Sequence, residues 1–293
     1  MSLRRAPRLA WLAALRYLAH NGPDRAAAIA FYTLLSLLPL LIFLISFGVR
    51  LLGSFDRAYA AVLILFNGVV LPLDERSLAA LRAFVERAIR LQWPGILLLA
   101  WTARRVFGAL ISALEGIFEA PARGFARGNL MSFAMVFATG FTLLATLAAT
   151  MLFAAVHGAI ARLAGPVGAS AMVTVGTLLL TYVIPSGIAA AFFFFVYRFF
   201  PRRELAVGAS DAALGALVAT VLWEIAKAAF AWYVSNLARY GGLFGALEGI
   251  IVLALWLELS ASIVLYGGEV VALLVVARSG AAASEHAAST ASN

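Results

Sequence analysis

The sequence predicts an all-α polytopic membrane protein with about six transmembrane helices, and three observations carry that reading. Of 293 residues, 64% are hydrophobic and only 12% charged, whereas soluble domains carry roughly 45–50% and about 25%. The mean hydropathy is +0.98. Several runs exceed the ~20 apolar residues that cross a bilayer core at ~1.5 Å each.

Composition also narrows the chemistry. The chain has no cysteine, so disulfides, thiolate metal sites and cysteine nucleophiles are excluded. The net charge of +8 comes almost wholly from arginine, Lys227 being the one lysine. On a soluble chain that excess would suggest nucleic acid. On this one, anionic phospholipid headgroups are the nearer partner and nucleic acid is not expected.

Residues 1–25 form a cytoplasmic amphipathic segment. Arg4, Arg5, Arg8, Arg16 and Arg25 surround Leu9, Leu12, Leu15 and Leu18, whose helical spacing predicts a short helix on the membrane surface. A cleaved signal peptide is not expected, because the long apolar run begins too late.

The transmembrane domain covers residues 26–276. Its first span, Ala26–Val49, carries no charge. A long connection follows. Ala58–Leu73 is interrupted by Asn67, Gly68 and Pro72, which suits an interfacial or re-entrant piece. Ser77–Gln92 sets Leu78, Leu81, Val85 and Ile89 against Arg82, Glu86, Arg87 and Arg90, an amphipathic helix.

The second span runs from about Trp93 to Leu114, with Pro94 suited to a helix start. The third covers about 129–157. The fourth, about 169–197, carries Pro185 in its middle, where a kink is expected. The fifth covers about 212–234 and the sixth about 243–276. Residues 277–293, rich in Ala and Ser, are expected to be an unstructured cytoplasmic tail.

Arginine distribution sets the orientation. With the N-terminus inside, the inner segments hold the first five arginines, then Arg123 and Arg127, then Arg198, Arg202 and Arg203, then Arg278. Two outer loops hold only Arg162 and Arg239. The first outer loop breaks the pattern with six arginines between Arg50 and Arg90. Because it contains an amphipathic helix it is weighted less, and both termini are placed in the cytoplasm.

Three stretches together resemble one family. Ala26-Ala27-Ala28-Ile29-Ala30-Phe31-Tyr32-Thr33-Leu34-Leu35-Ser36-Leu37-Leu38-Pro39 is similar to the first-helix signature of the YihY/BrkB family of bacterial inner-membrane proteins. Trp101-Thr102-Ala103-Arg104-Arg105, Ala109-Leu110 and Glu115-Gly116-Ile117-Phe118 resemble its second-helix region. Gly215–Leu273 resembles its last two helices through Leu222-Trp223, Lys227, Phe230, Tyr233, Tyr240-Gly241, Leu255-Trp256 and Gly267-Gly268-Glu269. Glu258 departs from the aromatic residue of the family pattern. The resemblance implies a six-helix inner-membrane protein. Family members have carried the label ribonuclease BN, generally regarded as mistaken, and that of a virulence factor for serum resistance. Movement of lipids or envelope precursors is suspected for some.

Charges inside apolar spans are functional candidates, because each costs several kcal/mol unless paired. Arg104 lies roughly 16 Å along its helix from Trp93, near the midplane, and Arg105 follows it. Glu224 and Lys227 share one helix face. Glu258 and Glu269 differ by only about 20° around the sixth span, with Glu248 about 80° from Glu258. One reading is a polar pocket between the second, fifth and sixth spans lined by Arg104, Arg105, Glu224, Lys227 and Glu258, the arginines receiving an anionic headgroup and the carboxylates acting as counter-ions or proton carriers, with a net +1 (three cations, two carboxylates) suiting a phosphate. The other is a set of structural ion pairs, with Glu269 meeting Arg278. Gly241, Gly245 and Gly249 recur every fourth residue and predict close packing of the last two spans.

An enzyme finds little support. His20, His157 and His286 lie in different segments, with no His-x-Glu or His-x-His pair and no phosphate-binding glycine loop. Neither cofactor nor metal is expected. The functional expectation is a transporter or flippase-like protein for an anionic amphiphile, with a non-transporting envelope scaffold as the alternative. The oligomeric state, a homo-oligomer included, is left open.

Overall fold

The computed structural model of the chain describes residues 6–66, 79, 82–83, 85–87, 92–119, 128, 130–132, 135, 139, 183–201, 207–236 and 246–291. Every regular element among them is helical: α1 (Ala6–Ala19), α2 (Gly22–Leu52), α3 (Phe55–Phe66), α4 (Gln92–Ile117), α5 (Ile184–Phe199), α6 (Ala209–Asn236) and α7 (Ala246–Ala291). Three are long and apolar enough to cross a membrane, over Gly22–Arg50, Ala209–Asn236 and Gly249–Gly280. At 1.5 Å per residue these run roughly 42–48 Å, past the ~30 Å of hydrocarbon. The all-α membrane class is therefore the observed one.

Helix ends follow local chemistry. Asn21 adopts φ 53° and turns the chain between α1 and α2, a left-handed conformation that Asn tolerates better than most residues. Pro23 and Asp24 then occupy the first turn of α2, where a missing N–H costs nothing and a negative charge faces the helix dipole. Gly53, at φ 68°, ends α2 with its N–H donating to the Val49 carbonyl at 2.9 Å, a glycine C-cap. At the start of α6, the Asp211 carboxylate accepts from the Gly208 N–H at 3.3 Å.

Packing divides the chain into two compact units. The first comprises Met1–Tyr17, Leu114–Glu224 and Tyr266–Asn293. Its core sets Phe193, Val196 and Tyr197 of α5, and Phe200 just after it, with Ala212, Ala216 and Ala219 of α6 and Val270 and Val271 of α7, all buried. Gly215 and Gly267 make this crossing possible. A Cβ on Gly215 would collide with Val271, and one on Gly267 would meet the Tyr197 hydroxyl and approach Ala219 Cβ to 3.0 Å. Small residues let backbones approach where lipid offers no hydrophobic drive.

The second unit comprises Leu18–Ala113 and Ile225–Leu265. There α2 and α3 pack as a hairpin around Leu41, Ile45, Ala58, Tyr59 and Val85. The Arg82 guanidinium pairs with Asp56 and lies over the Phe55 and Tyr59 rings, 5.7 and 5.8 Å from their centroids. Phe230 of α6 meets Trp256 of α7, with ring centroids 4.8 Å apart.

The expected elements are found with moved ends. The helix expected at residues 1–25 is α1, and the residues expected as the first, second and fifth spans are helical as α2, α4 and α6, of which α2 and α6 are among the helices long and apolar enough to cross a membrane. The described residues of the amphipathic stretch 77–92 are helical, with Val85 buried and Arg82, Glu86 and Arg87 exposed. Only Gly128, Leu130–Ser132, Met135 and Thr139 of the third span are described, all but Gly128 within its expected bounds, and all helical. Of the fourth span, the part before Val183, and with it the geometry of any kink at Pro185, lies outside the described residues. The sixth span, α7, departs from expectation. It continues through Ala291, so the expected unstructured tail is helical there. Alanine, the strongest helix former, supplies Ala281–Ala283, Ala287, Ala288 and Ala291.

Candidate functional site

The arginine pair sits midway along α4, twelve and thirteen residues from Gln92, and both side chains are exposed. Arg105 is held by aromatic rings. Its guanidinium carbon lies 5.2 Å from the Trp101 ring centroid and 5.8 Å from that of Tyr32 on α2. Trp101 is four residues before Arg105, so the two share a helix face. Such an arrangement holds a cation in a fixed place without neutralising it. Arg104, one residue earlier, points about 100° away around the helix.

Glu224, on α6, accepts a hydrogen bond from the Ser186 hydroxyl at 2.8 Å. Ser186 directly follows Pro185, near the start of the described part of α5. Lys227 follows Glu224 by three residues on the same helix, and Glu258 lies on α7; both are half-buried. Glu224 belongs to the first unit and the other four residues to the second.

The most buried charge is elsewhere. Glu269 has no exposed surface, and its Oε2 lies 3.2 Å from Arg16 Nε. The same guanidinium donates through Nη2 to Glu119 Oε1 at 3.1 Å and to the Ile117 carbonyl at 3.4 Å. It thereby satisfies the end of α4, whose last carbonyls lack helical donors and carry the negative end of the dipole. In the second unit Arg25 acts similarly, donating to the Ala113 carbonyl at 2.9 Å.

The expected Glu269–Arg278 pair is therefore corrected. Arg278 Nη1 meets Asp211 Oδ2 at 2.9 Å instead. The reason is helical phase: nine residues at about 100° each place Arg278 on the opposite side of α7 from Glu269. The packing glycines also differ in part. Gly241 and Gly245 lie outside the described residues, and Gly249 falls in the first turns of α7. The close crossing that is described uses Gly215 and Gly267.

Sequence reasoning passed over Ser186, Arg16 and the aromatic partners of Arg105. The four-residue spacing of Trp101 and Arg105 was available as a signal. For Arg16 the only signal was a buried carboxylate needing a cation. Among the described residues no group of three His, Asp or Glu side chains is placed to hold a metal.

Long apolar helices with charges lodged along them define an α-helical membrane protein. The family model described as virulence factor BrkB matches residues 13–292, and the chain belongs to that family. It is 29% identical over 269 residues to the putative ribonuclease-like protein YfkH of Bacillus subtilis, covering 88% of this chain and 92% of that one. It is 29% identical over 267 residues to a UPF0761 membrane protein of Rhodospirillum centenum, covering 90% of this chain and 57% of the relative. A UPF0761 membrane protein of Neisseria meningitidis serogroup B is 26% identical over 261 residues, covering 88% and 61%. The chain thus spans about three fifths of the length of those two UPF0761 relatives. No solved structure is significantly similar to it.

Proposed function

We propose that this chain is a multi-pass protein of the bacterial inner membrane, with both termini cytoplasmic, that moves an anionic amphiphile across the bilayer. Its substrate class is a lipid or envelope precursor with a phosphate-like headgroup. The observation that carries the reading is Arg105, exposed midway along α4 and flanked by Trp101 and Tyr32 at 5.2 and 5.8 Å. An arginine lodged inside an apolar span is costly without a ligand or partner to offset it. Arg104 and Arg105 receive the headgroup in this reading. Lys227 adds positive charge, and Glu224 and Glu258 serve as counter-ions or proton carriers. No covalent step is involved, and the chain is read as a non-enzyme.

One observation favours a second reading, a non-transporting envelope scaffold. The pairs Arg16–Glu269 and Arg278–Asp211 are closed contacts of 3.2 and 2.9 Å that join separate segments of one unit, as a rigid frame requires.

The test is reconstitution into vesicles carrying fluorescent phosphatidylglycerol, with a membrane-impermeant reductant reporting the outer leaflet. The parent should exchange lipid between leaflets. Arg105→Ala should slow exchange roughly tenfold, as expected from losing one desolvated cation–π-held contact worth about 1–2 kcal/mol. No exchange by the folded parent, for this or other anionic amphiphiles, would favour the scaffold.

A further inference from the structure

The helix α1 carries an apolar surface that its own unit does not cover. Trp11 is 66% exposed and Leu18 60%, with Leu12 and Leu15 also open. At 100° per residue these four fall within an arc of about 120°. Arg8, also exposed, lies inside the same arc. The opposite side is packed, with Ala13 fully buried.

Two attachments fix the roll of this helix. Arg16 binds Glu269, Glu119 and the Ile117 carbonyl. Six residues earlier, the Ala10 carbonyl accepts from the Tyr266 hydroxyl at 2.9 Å. Tyr266 and Glu269 are three apart on α7, so one face of that helix holds α1 at two points. With the roll set, Trp11, Leu12 and Leu15 are turned away from the first unit.

We propose that this arc is a docking surface for a bilayer leaflet rich in anionic headgroups, and that the Arg16–Glu269 contact is the latch that aims it. Charge identifies the occupant. Residues 1–19 contain Arg4, Arg5, Arg8 and Arg16 and no acidic residue. Arg16 is paired with Glu269, Arg8 lies within the exposed arc, and Arg4 and Arg5 precede it in sequence. An amphipathic helix of this kind lies in the interface, apolar side toward the acyl chains and arginines reaching the phosphates. The proposal needs only the membrane location, and it stands or falls separately from lipid movement.

The absence of native cysteine gives a clean probe. The full chain carrying Leu15→Cys, labelled with an environment-sensitive fluorophore, is placed in nanodiscs of phosphatidylcholine, with and without phosphatidylglycerol. Emission is expected to shift to shorter wavelength and to be quenched by headgroup-proximal nitroxide lipids, more strongly with phosphatidylglycerol. Arg8→Gln is expected to lose the preference for the anionic lipid. Glu269→Gln is expected to weaken nitroxide quenching at residue 15 as the latch opens; if that variant does not fold, Arg16→Gln reads the same contact from the exposed helix. Equal access of an aqueous quencher in both lipids overturns the docking. Shielding that appears only with two copies per disc also overturns it, since a second chain is then the occupant. Unchanged quenching in both latch variants overturns the latch.

Discussion

Glu269 Oε2 lies 3.2 Å from Arg16 Nε, across 253 residues of sequence. The carboxylate is wholly buried, while the arginine side chain keeps 26% of its surface. A carboxylate in that position is tolerable because a guanidinium and its further partners accompany it.

Removing one member should therefore be costly. Glu269→Ala should destabilise the folded protein by about 3–5 kcal/mol, since it takes from Arg16 its buried partner and leaves only the exposed Glu119. Glu119→Ala, on the carboxylate that is 72% exposed, should cost no more than about 1 kcal/mol. Unfolding in a mild detergent separates the two. Equal effects would mean that the pair matters less than its burial suggests.

The crossing at Gly215 should resist substitution. Gly215→Leu drives a side chain into Val271 and toward the Gly267 carbonyl, and overpacking of this kind costs about 1–3 kcal/mol. Gly108→Ala meets nothing within 4 Å and replaces a glycine inside α4, so it should be neutral or slightly stabilising. A parent-like melting temperature for Gly215→Leu would place the helices farther apart than described.

Ser186→Ala should lower stability by about 1 kcal/mol, the usual net worth of a hydrogen bond, and Glu224→Gln should preserve much of it by keeping an acceptor. If lipid movement depends on a proton carried at Glu224, Glu224→Gln should stop movement while leaving melting nearly unchanged. Loss of both together would assign Glu224 to structure.

Topology can be read directly with reporter fusions. Fusions after Arg203 and after Arg278 should report cytoplasm, and one after Arg162 should report periplasm, because arginine-rich segments stay inside. A periplasmic report after Arg278 would mean an odd number of spans.

Much of this fold was legible because a bilayer permits so few solutions. An uncharged run gave α2, a long apolar run gave α6 despite Glu224 and Lys227, and the leucine spacing gave α1. What escaped was decided by phase and by distant partners. Glu269 was rightly singled out as a charge needing compensation, yet Arg278 was chosen for its nearness in sequence, when half a turn of helix turns it away. The glycine repeat at 241–249 drew attention by its regularity, whereas Gly215 and Gly267 lie on different helices and form no visible pattern. Alanine near the C-terminus was read through its serine company as unstructured, and its own helical preference prevailed through Ala291. The Trp101 and Tyr32 rings beside Arg105 were not read from the sequence, since Tyr32 is brought there by another helix.

The opposed placement of Glu269 and Arg278 has a mechanical meaning. Within the first unit, α7 is tethered on one side by Glu269 to Arg16 and on the other by Arg278 to Asp211. Turning the helix either way about its axis would stretch both tethers at once. A shaft guyed on both sides keeps its bearing. Rotation is thus the movement that this end of α7 resists, and conformational work done near it must come from translation or from bending elsewhere.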